Sequence, residues 1–239
     1  MSKDKHTPYF ECLEALQRGG CPICALGRRA VARYLDTLIY ECVNDPGARR
    51  RIRAAQGFCR LHGWQLRRHG GALGIAIIYR DIVRDLVQAL GAADYQAPPR
   101  LRAVMESLDR KRPASGTEEL VRALAPTKEC PACQAQHQTE RMYVDVLLDN
   151  LDDPEMQKAL GEGFGLCLPH LRLALERARD EKAFHLLRGS AEIAFARLLH
   201  DLDEMIRRHD YRFADEGLAE VGDAWVRAIA QIAGEEGLS

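Results

Sequence analysis

Cys21 and Cys24 stand three residues apart with a proline between them, and Cys59 and His62 follow at the same spacing after 34 intervening residues. Cys130 and Cys133, then Cys167 and His170, repeat the arrangement with 33 residues between the pairs. Three thiols and one imidazole are what a tetrahedral zinc ion takes when protein fills every coordination position. A CxxC pair forms a chelate at low conformational cost, because few backbone torsions must be fixed to bring the sulfurs together. Proline directly after the first cysteine favours a helix start there. Such a start turns backbone N–H groups toward the sulfurs and stabilises thiolates. Residues three apart on a helix share a face, so Cys59 with His62, and Cys167 with His170, form the second chelating pairs.

The simplest geometry closes each site within one copy of the motif. Cys21, Cys24, Cys59 and His62 would form the first site, and Cys130, Cys133, Cys167 and His170 the second. Two interleaved copies would instead exchange halves of their sites. Zinc, two ions per chain, requires nothing beyond these ligands. An iron–sulfur cluster is the competing cofactor, since clusters take mostly cysteine and sometimes histidine ligands. Thiol redox chemistry is a third reading: CPIC resembles the CPxC pair of glutaredoxins over four residues. That fold places a strand before the pair, whereas a helical pattern and Gly19-Gly20 precede it here, and the CxxH pairs would have no role.

The elements that must position these ligands are themselves duplicated. Cys21, Cys24, Tyr34 and Asp36 recur 109 positions later as Cys130, Cys133, Tyr143 and Asp145. After a one-residue shift, Asp45-Pro46, Gly57, Cys59 and His62 recur as Asp153-Pro154, Gly165, Cys167 and His170. Apolar residues at three- and four-residue spacing predict helices over 25–43 (Val31, Tyr34, Leu35, Leu38, Cys42) and 134–151 (Tyr143, Val144, Leu147, Leu148, Leu151). Each Asp-Pro ends one helix and starts another. Long helices are expected over 72–91 and 181–210, short ones near 8–18 and 117–125, and a final amphipathic helix with Trp225, Ile229 and Ile232 over 214–235. No strand pattern occurs. The fold expected is all-α: a first helical repeat over 1–96, a linker over 97–116 carrying RPASG, a second repeat over 117–213 and a C-terminal helix over 214–239.

Composition is that of a soluble globular protein, 46% hydrophobic and 29% charged. The amino terminus has no apolar signal region, and the longest apolar run, near 71–79, is too short to span a bilayer, so a cytoplasmic protein without a membrane partner is expected. Thiols stay reduced in that compartment, which turns eight cysteines away from disulfides and toward metal or redox chemistry. Residues 1–97 carry 15 Lys+Arg against 9 Asp+Glu, and the remainder 19 against 26. This asymmetry fits either an acidic partner for the first half or attraction between the halves.

Other residues have plainer readings. Cys42 aligns with Leu151 and Cys12 with Val121, as small core hydrophobes. His6, His69, His137, His185, His200 and His209 share no pattern and are read as surface or helix-end residues, and Trp64 as packing beside the first CxxH. The run ARRRIR, with Arg49, Arg50, Arg51 and Arg53, is the one dense basic cluster; it suits phosphates of nucleic acid or a solvated helix face. No Gly-rich phosphate loop, G-x-S-x-G elbow or Glu-x-x-His pair is present. A fully ligated ion leaves no open position for water, so structure is favoured over catalysis.

CPICAL, GFCRLHGW, CPAC and GLCLPHL, spread over most of the chain, resemble an uncharacterised bacterial family of helical proteins, a domain of unknown function with duplicated CPxC and CxxH motifs. The resemblance implies metal binding and brings no activity with it. The reading that follows is a non-enzymatic, zinc-stabilised adaptor for a protein or for nucleic acid. A redox protein with iron–sulfur clusters or exchangeable thiols is the alternative.

Overall fold

The computed structural model describes residues 6–67, 71–94 and 117–238. The linker expected over 97–116, and Arg68 and His69, lie outside them. Among the described residues the fold is helical with no strand. The chain divides into two compact units, one formed by Met1–Arg33 with Ala135–Ser239 and the other by Tyr34–Gln134. This division cuts across the two successive repeats expected from the sequence.

The first unit holds α1 (Thr7–Gln17), the start of α2 (Pro22–Thr37), most of α7 (Pro131–Asp149), α8 (Pro154–Glu162), α9 (Leu168–Arg177), the long α10 (Glu181–Arg208), a 3-10 turn (Tyr211–Glu216) and α11 (Ala224–Ala233). Its core joins Cys12, Leu16, Ile23, Val144, Leu147, Met156 and Leu187. The second unit holds the end of α2, a π-helical turn (Leu38–Cys42), α3 (Pro46–Ala54), α4 (Arg60–Leu66), α5 (Ala72–Gly91), α6 (Glu118–Ala123) and the first residues of α7. Leu35, Leu38, Ile52, Leu66 and Ile78 are its buried residues of largest consequence.

The duplicated signals act as the sequence suggests. Asp45 caps α3 by accepting from the Ala48 N–H at 2.6 Å, and Asp153 caps α8 by accepting from the N–H groups of Glu155 at 2.9 Å and Met156 at 3.3 Å. Proline at the first helical position of each fixes φ where no donor is needed. Gly57 and Gly165 adopt φ of +98° and +75°, a region that a side chain enters at a cost of about 1–2 kcal/mol. Each follows a short helix and reverses the chain so that Cys59 or Cys167 opens the next helix.

Candidate metal centres

All eight ligand candidates sit at helix N-termini. Cys59 is the N-cap of α4 and Cys167 the N-cap of α9. Cys21 and Cys130 immediately precede Pro22 and Pro131, which open α2 and α7. The carbonyl of each of these four cysteines accepts the first intrahelical bond: from Ala25 at 3.1 Å, Gly63 at 2.8 Å, Gln134 at 3.0 Å and Leu171 at 2.8 Å. Each helix therefore presents its opening cysteine and the residue three further on, Cys24, His62, Cys133 or His170, on one face. The N–H groups and positive dipole end of that first turn favour a thiolate.

In the first unit, Cys21, Cys24, Cys167 and His170 converge. His170 Nδ1 lies 3.4 Å from Cys21 Sγ, 3.3 Å from Cys24 Sγ and 3.1 Å from Cys167 Sγ, and the Cys24 and Cys167 sulfurs are 3.6 Å apart. An ion at about 2.3 Å from sulfur and about 2.0–2.1 Å from nitrogen sets tetrahedral edges of about 3.8 Å between sulfurs and about 3.6 Å from sulfur to nitrogen. The donor set fits such an ion. On the far side of the ring, His170 Nε2 is 3.4 Å from Glu140 Oε1, and the Gln136 amide donates to that same oxygen at 2.8 Å.

The electrostatics point the same way. Burial alone would push the His170 imidazole down, but its hydrogen bonds with Cys167, Cys21, Cys24 and Glu140 outweigh burial and hold it well above the ordinary histidine range. Burial pushes Glu140 up, and bonds from His170 and Gln136 reverse this to hold it below the usual carboxylate range. At Cys24 the Cys167 contact acts downward, while Cys21 and burial together win and raise it. Three sulfurs and a carboxylate around one buried imidazole concentrate negative charge, a demand that a bound cation would meet.

In the second unit, Cys59, His62, Cys130 and Cys133 converge with matching edges. His62 Nδ1 lies 3.3 Å from Cys59, 3.3 Å from Cys133 and 3.7 Å from Cys130, and Cys59 and Cys133 are 3.6 Å apart. Cys59 is partly exposed, unlike any member of the first cluster.

Residues 9–237 match the family of unknown function DUF6062, a span that takes in both clusters. The chain belongs to that family. It is also 26% identical over 226 residues to an uncharacterized 23.9 kDa protein in the xynA 3′ region of Caldicellulosiruptor sp. (strain Rt8B.4), an alignment covering 94% of this chain and 100% of that protein. No solved structure matches.

In this DUF6062 chain the ligand pairs combine in the exchanged arrangement and not in the simplest one. The within-copy sets, Cys21–Cys24 with Cys59–His62 and Cys130–Cys133 with Cys167–His170, do not form; each cluster takes its CPxC from one copy and its CxxH from the other. Sequence spacing favours the shortest loop, but loop-closure cost rises only slowly with length. Packing of the helices, which spacing does not reveal, decides the partner instead. Three further residues escaped sequence reasoning because the duplicated pattern does not include them: Gln136, Glu140 and Glu235. The Glu235 carboxylate accepts from the Cys21 N–H at 2.7 Å and pairs with Arg28, so the segment after α11 reaches the first centre.

The remaining candidates fall elsewhere. Cys12 is buried in the first core, and burial followed by the charge of Cys21 pushes its thiol up to about 12. Cys42 ends the π-helical turn outside both clusters. Arg49 pairs with Asp81, and Arg53 binds Asp85 through two bonds of 2.7 Å, so half of the basic run is neutralised by α5. The apolar stripe of α11 faces outward: Trp225, Ile229 and Ile232 are 54%, 57% and 52% exposed, and Ala224 and Gln231 face inward. Arg227 holds this orientation by pairing with Asp201 at 2.8 Å. No described helix is long and apolar enough to cross a membrane.

Proposed function

We propose that this DUF6062 protein is a zinc-binding helical adaptor without enzymatic activity of its own, with one zinc ion in each of its two three-cysteine, one-histidine centres. The observation that carries this reading is the donor spacing. In each cluster all four donor atoms lie within 4.8 Å of one another, at edges close to those of a single tetrahedral ion. Iron–sulfur clusters distribute their cysteine sulfurs over several iron atoms, so this tight spacing supports one ion per centre. Four protein donors saturate a tetrahedral ion and leave no position for a substrate or a water, which supports a structural role. Six of the eight cysteines lie in donor clusters and none of the described cysteines forms a disulfide, which supports the reducing compartment expected from the sequence.

The adaptor role rests on surface chemistry. The outward stripe of Trp225, Ile229 and Ile232 supports a protein partner. Pairing of Arg49 and Arg53 with Asp81 and Asp85 leaves less free charge for nucleic-acid phosphates than the sequence promised. The test is elemental analysis of untagged protein purified without oxygen, with a visible spectrum alongside. Two zinc ions per chain, one per cluster, and a featureless spectrum are expected. Iron with sulfide and absorption near about 400 nm would replace this reading with an electron carrier.

A further inference from the structure

The first centre carries a second layer of residues behind its histidine. In the first unit, Glu140 and Gln136 are 7% and 1% exposed, four residues apart on α7, and both are committed to the far side of His170. Room for them is built into α2. A Cβ added at Gly27 would lie 3.2 Å from Glu140 Oε1 and 3.6 Å from Gln136 Cγ, so a side chain there would press on the carboxylate. The repeat does not supply this layer. The residues 109 positions before Gln136 and Glu140 are Gly27 and Val31, so the other copy carries no counterpart of the pair.

A carboxylate that accepts from Nε2–H leaves the Nδ1 lone pair pointing at the sulfurs. It also fixes the ring plane and strengthens the ring as a donor. Gln136 holds the carboxylate in turn, since its amide donates to Oε1 at 2.8 Å.

We infer that Glu140, held by Gln136, is a positioning residue that fixes His170 as an Nδ1 donor and makes the Cys21–Cys24–Cys167–His170 centre the one that retains its ion, the Cys59–His62–Cys130–Cys133 centre being the one that exchanges. This rests on the metal-binding reading above. The partial exposure of Cys59 supports the second half, because an incoming chelator or thiol meets a ligand sulfur without unfolding the unit. Loss of such an outer partner typically costs roughly 10–100-fold in metal affinity.

The test uses the full chain loaded with zinc and challenged with an excess of 4-(2-pyridylazo)resorcinol, whose colour reports each ion released. Wild type releases one ion fast and one slowly, and Cys167→Ala removes the slow phase. Glu140→Ala accelerates the slow phase by roughly 10–100-fold and leaves the fast phase unchanged. Glu140→Gln, which keeps an acceptor oxygen, falls between. Cobalt(II) loading supplies a readout that a merely structural role would not move: Glu140→Gln changes the visible bands of the slow centre alone, while the far-ultraviolet circular dichroism stays that of wild type. Release of both ions at one rate, or acceleration of the fast phase by either Glu140 variant, overturns the inference. So do slow-phase kinetics and cobalt bands untouched by Glu140→Gln. Wild type that binds no metal would overturn the metal-binding reading itself, a distinct result.

Discussion

The two cysteine–histidine clusters have the same donors, the same pair of helix N-termini and nearly the same edges, yet one is sealed and the other is not. Cys21 and Cys167 are each 0% exposed, whereas Cys59 reaches solvent. The first cluster has a carboxylate behind its histidine and the Glu235 segment against its opening cysteine; both devices come from residues outside the duplicated motif. On the proposed reading, the shared motif supplies the donors, and residues outside it set how firmly an ion would be held. A donor set fixes which ion fits, and the second layer of residues and the burial around it govern escape.

The largest expected effect tests the crossed pairing on which this comparison stands. Cys21→Ala and Cys167→Ala each lose one zinc, and the double variant still holds one, because both residues serve one ion. Cys21→Ala with Cys59→Ala loses both. Pairing within each copy requires the opposite outcome for the two doubles, so zinc content alone decides. Stability follows content. Structural zinc supplies about 10–16 kcal/mol of apparent binding energy in zinc-finger peptides, and even a fraction of that is large against the roughly 5–15 kcal/mol of a domain. Denaturant unfolding should therefore show the Cys21/Cys59 double weakened by several kcal/mol more than the Cys21/Cys167 double.

The helical class, the Asp-Pro helix starts and the helix-opening positions of the eight donor candidates were legible in the sequence because each rests on local rules. Proline after cysteine and Gly57 or Gly165 before the CxxH pair state their own backbone requirements. The partnership of the pairs was not legible, since spacing along a chain does not specify which helix ends meet. Glu140 was hidden for a different reason. It lies seven residues after Cys133 on one helix face, but a comparison between copies discards whatever is unshared, and Val31 stands at the matching position. The orientation of the stripe on α11 marks a third limit. Periodicity identifies an apolar face and cannot say that Arg227 and Gln231 turn the opposite face inward.

A smaller effect separates the seal from the ligands. Glu235 performs for α2 what the glutamate of a capping box performs, accepting from the N–H of the opening residue, but it comes from the far end of the chain. A Cβ added at neighbouring Gly234 would lie 3.8 Å from Cys24 Sγ, so the segment also covers the sulfurs. Glu235→Ala should cost roughly 0.5–2 kcal/mol, the range for a lost helix cap, and should speed ion release from the first centre while the second is unaffected. Equal acceleration at both centres would mean that the segment acts on global stability and not as a seal.

The smallest effect compares how each unit answers acid. Asp81 in the second unit is held below the usual carboxylate range chiefly by its bond from Arg49, against burial, with Arg80 and Arg84 adding to Arg49. Asp145 in the first unit is lowered chiefly by Arg177, which binds it through contacts of 2.8 Å and 2.6 Å. A carboxyl lowered by folding adds stability that is complete above its unfolded value, near about pH 4, and is lost as pH falls through the folded value. The Asp81 side chain is 10% exposed and that of Asp145 is 35% exposed, so water screens the second pair more. Asp81→Asn should therefore weaken protection of α3 and α5 in hydrogen exchange at pH 7 more than Asp145→Asn weakens protection of α7 and α9. Both differences from wild type should shrink as pH falls below about 4, whatever happens to the bound ions, because variant and parent lose those together. A gap that persists into acid would assign the effect to packing around Asp81 and not to its charge.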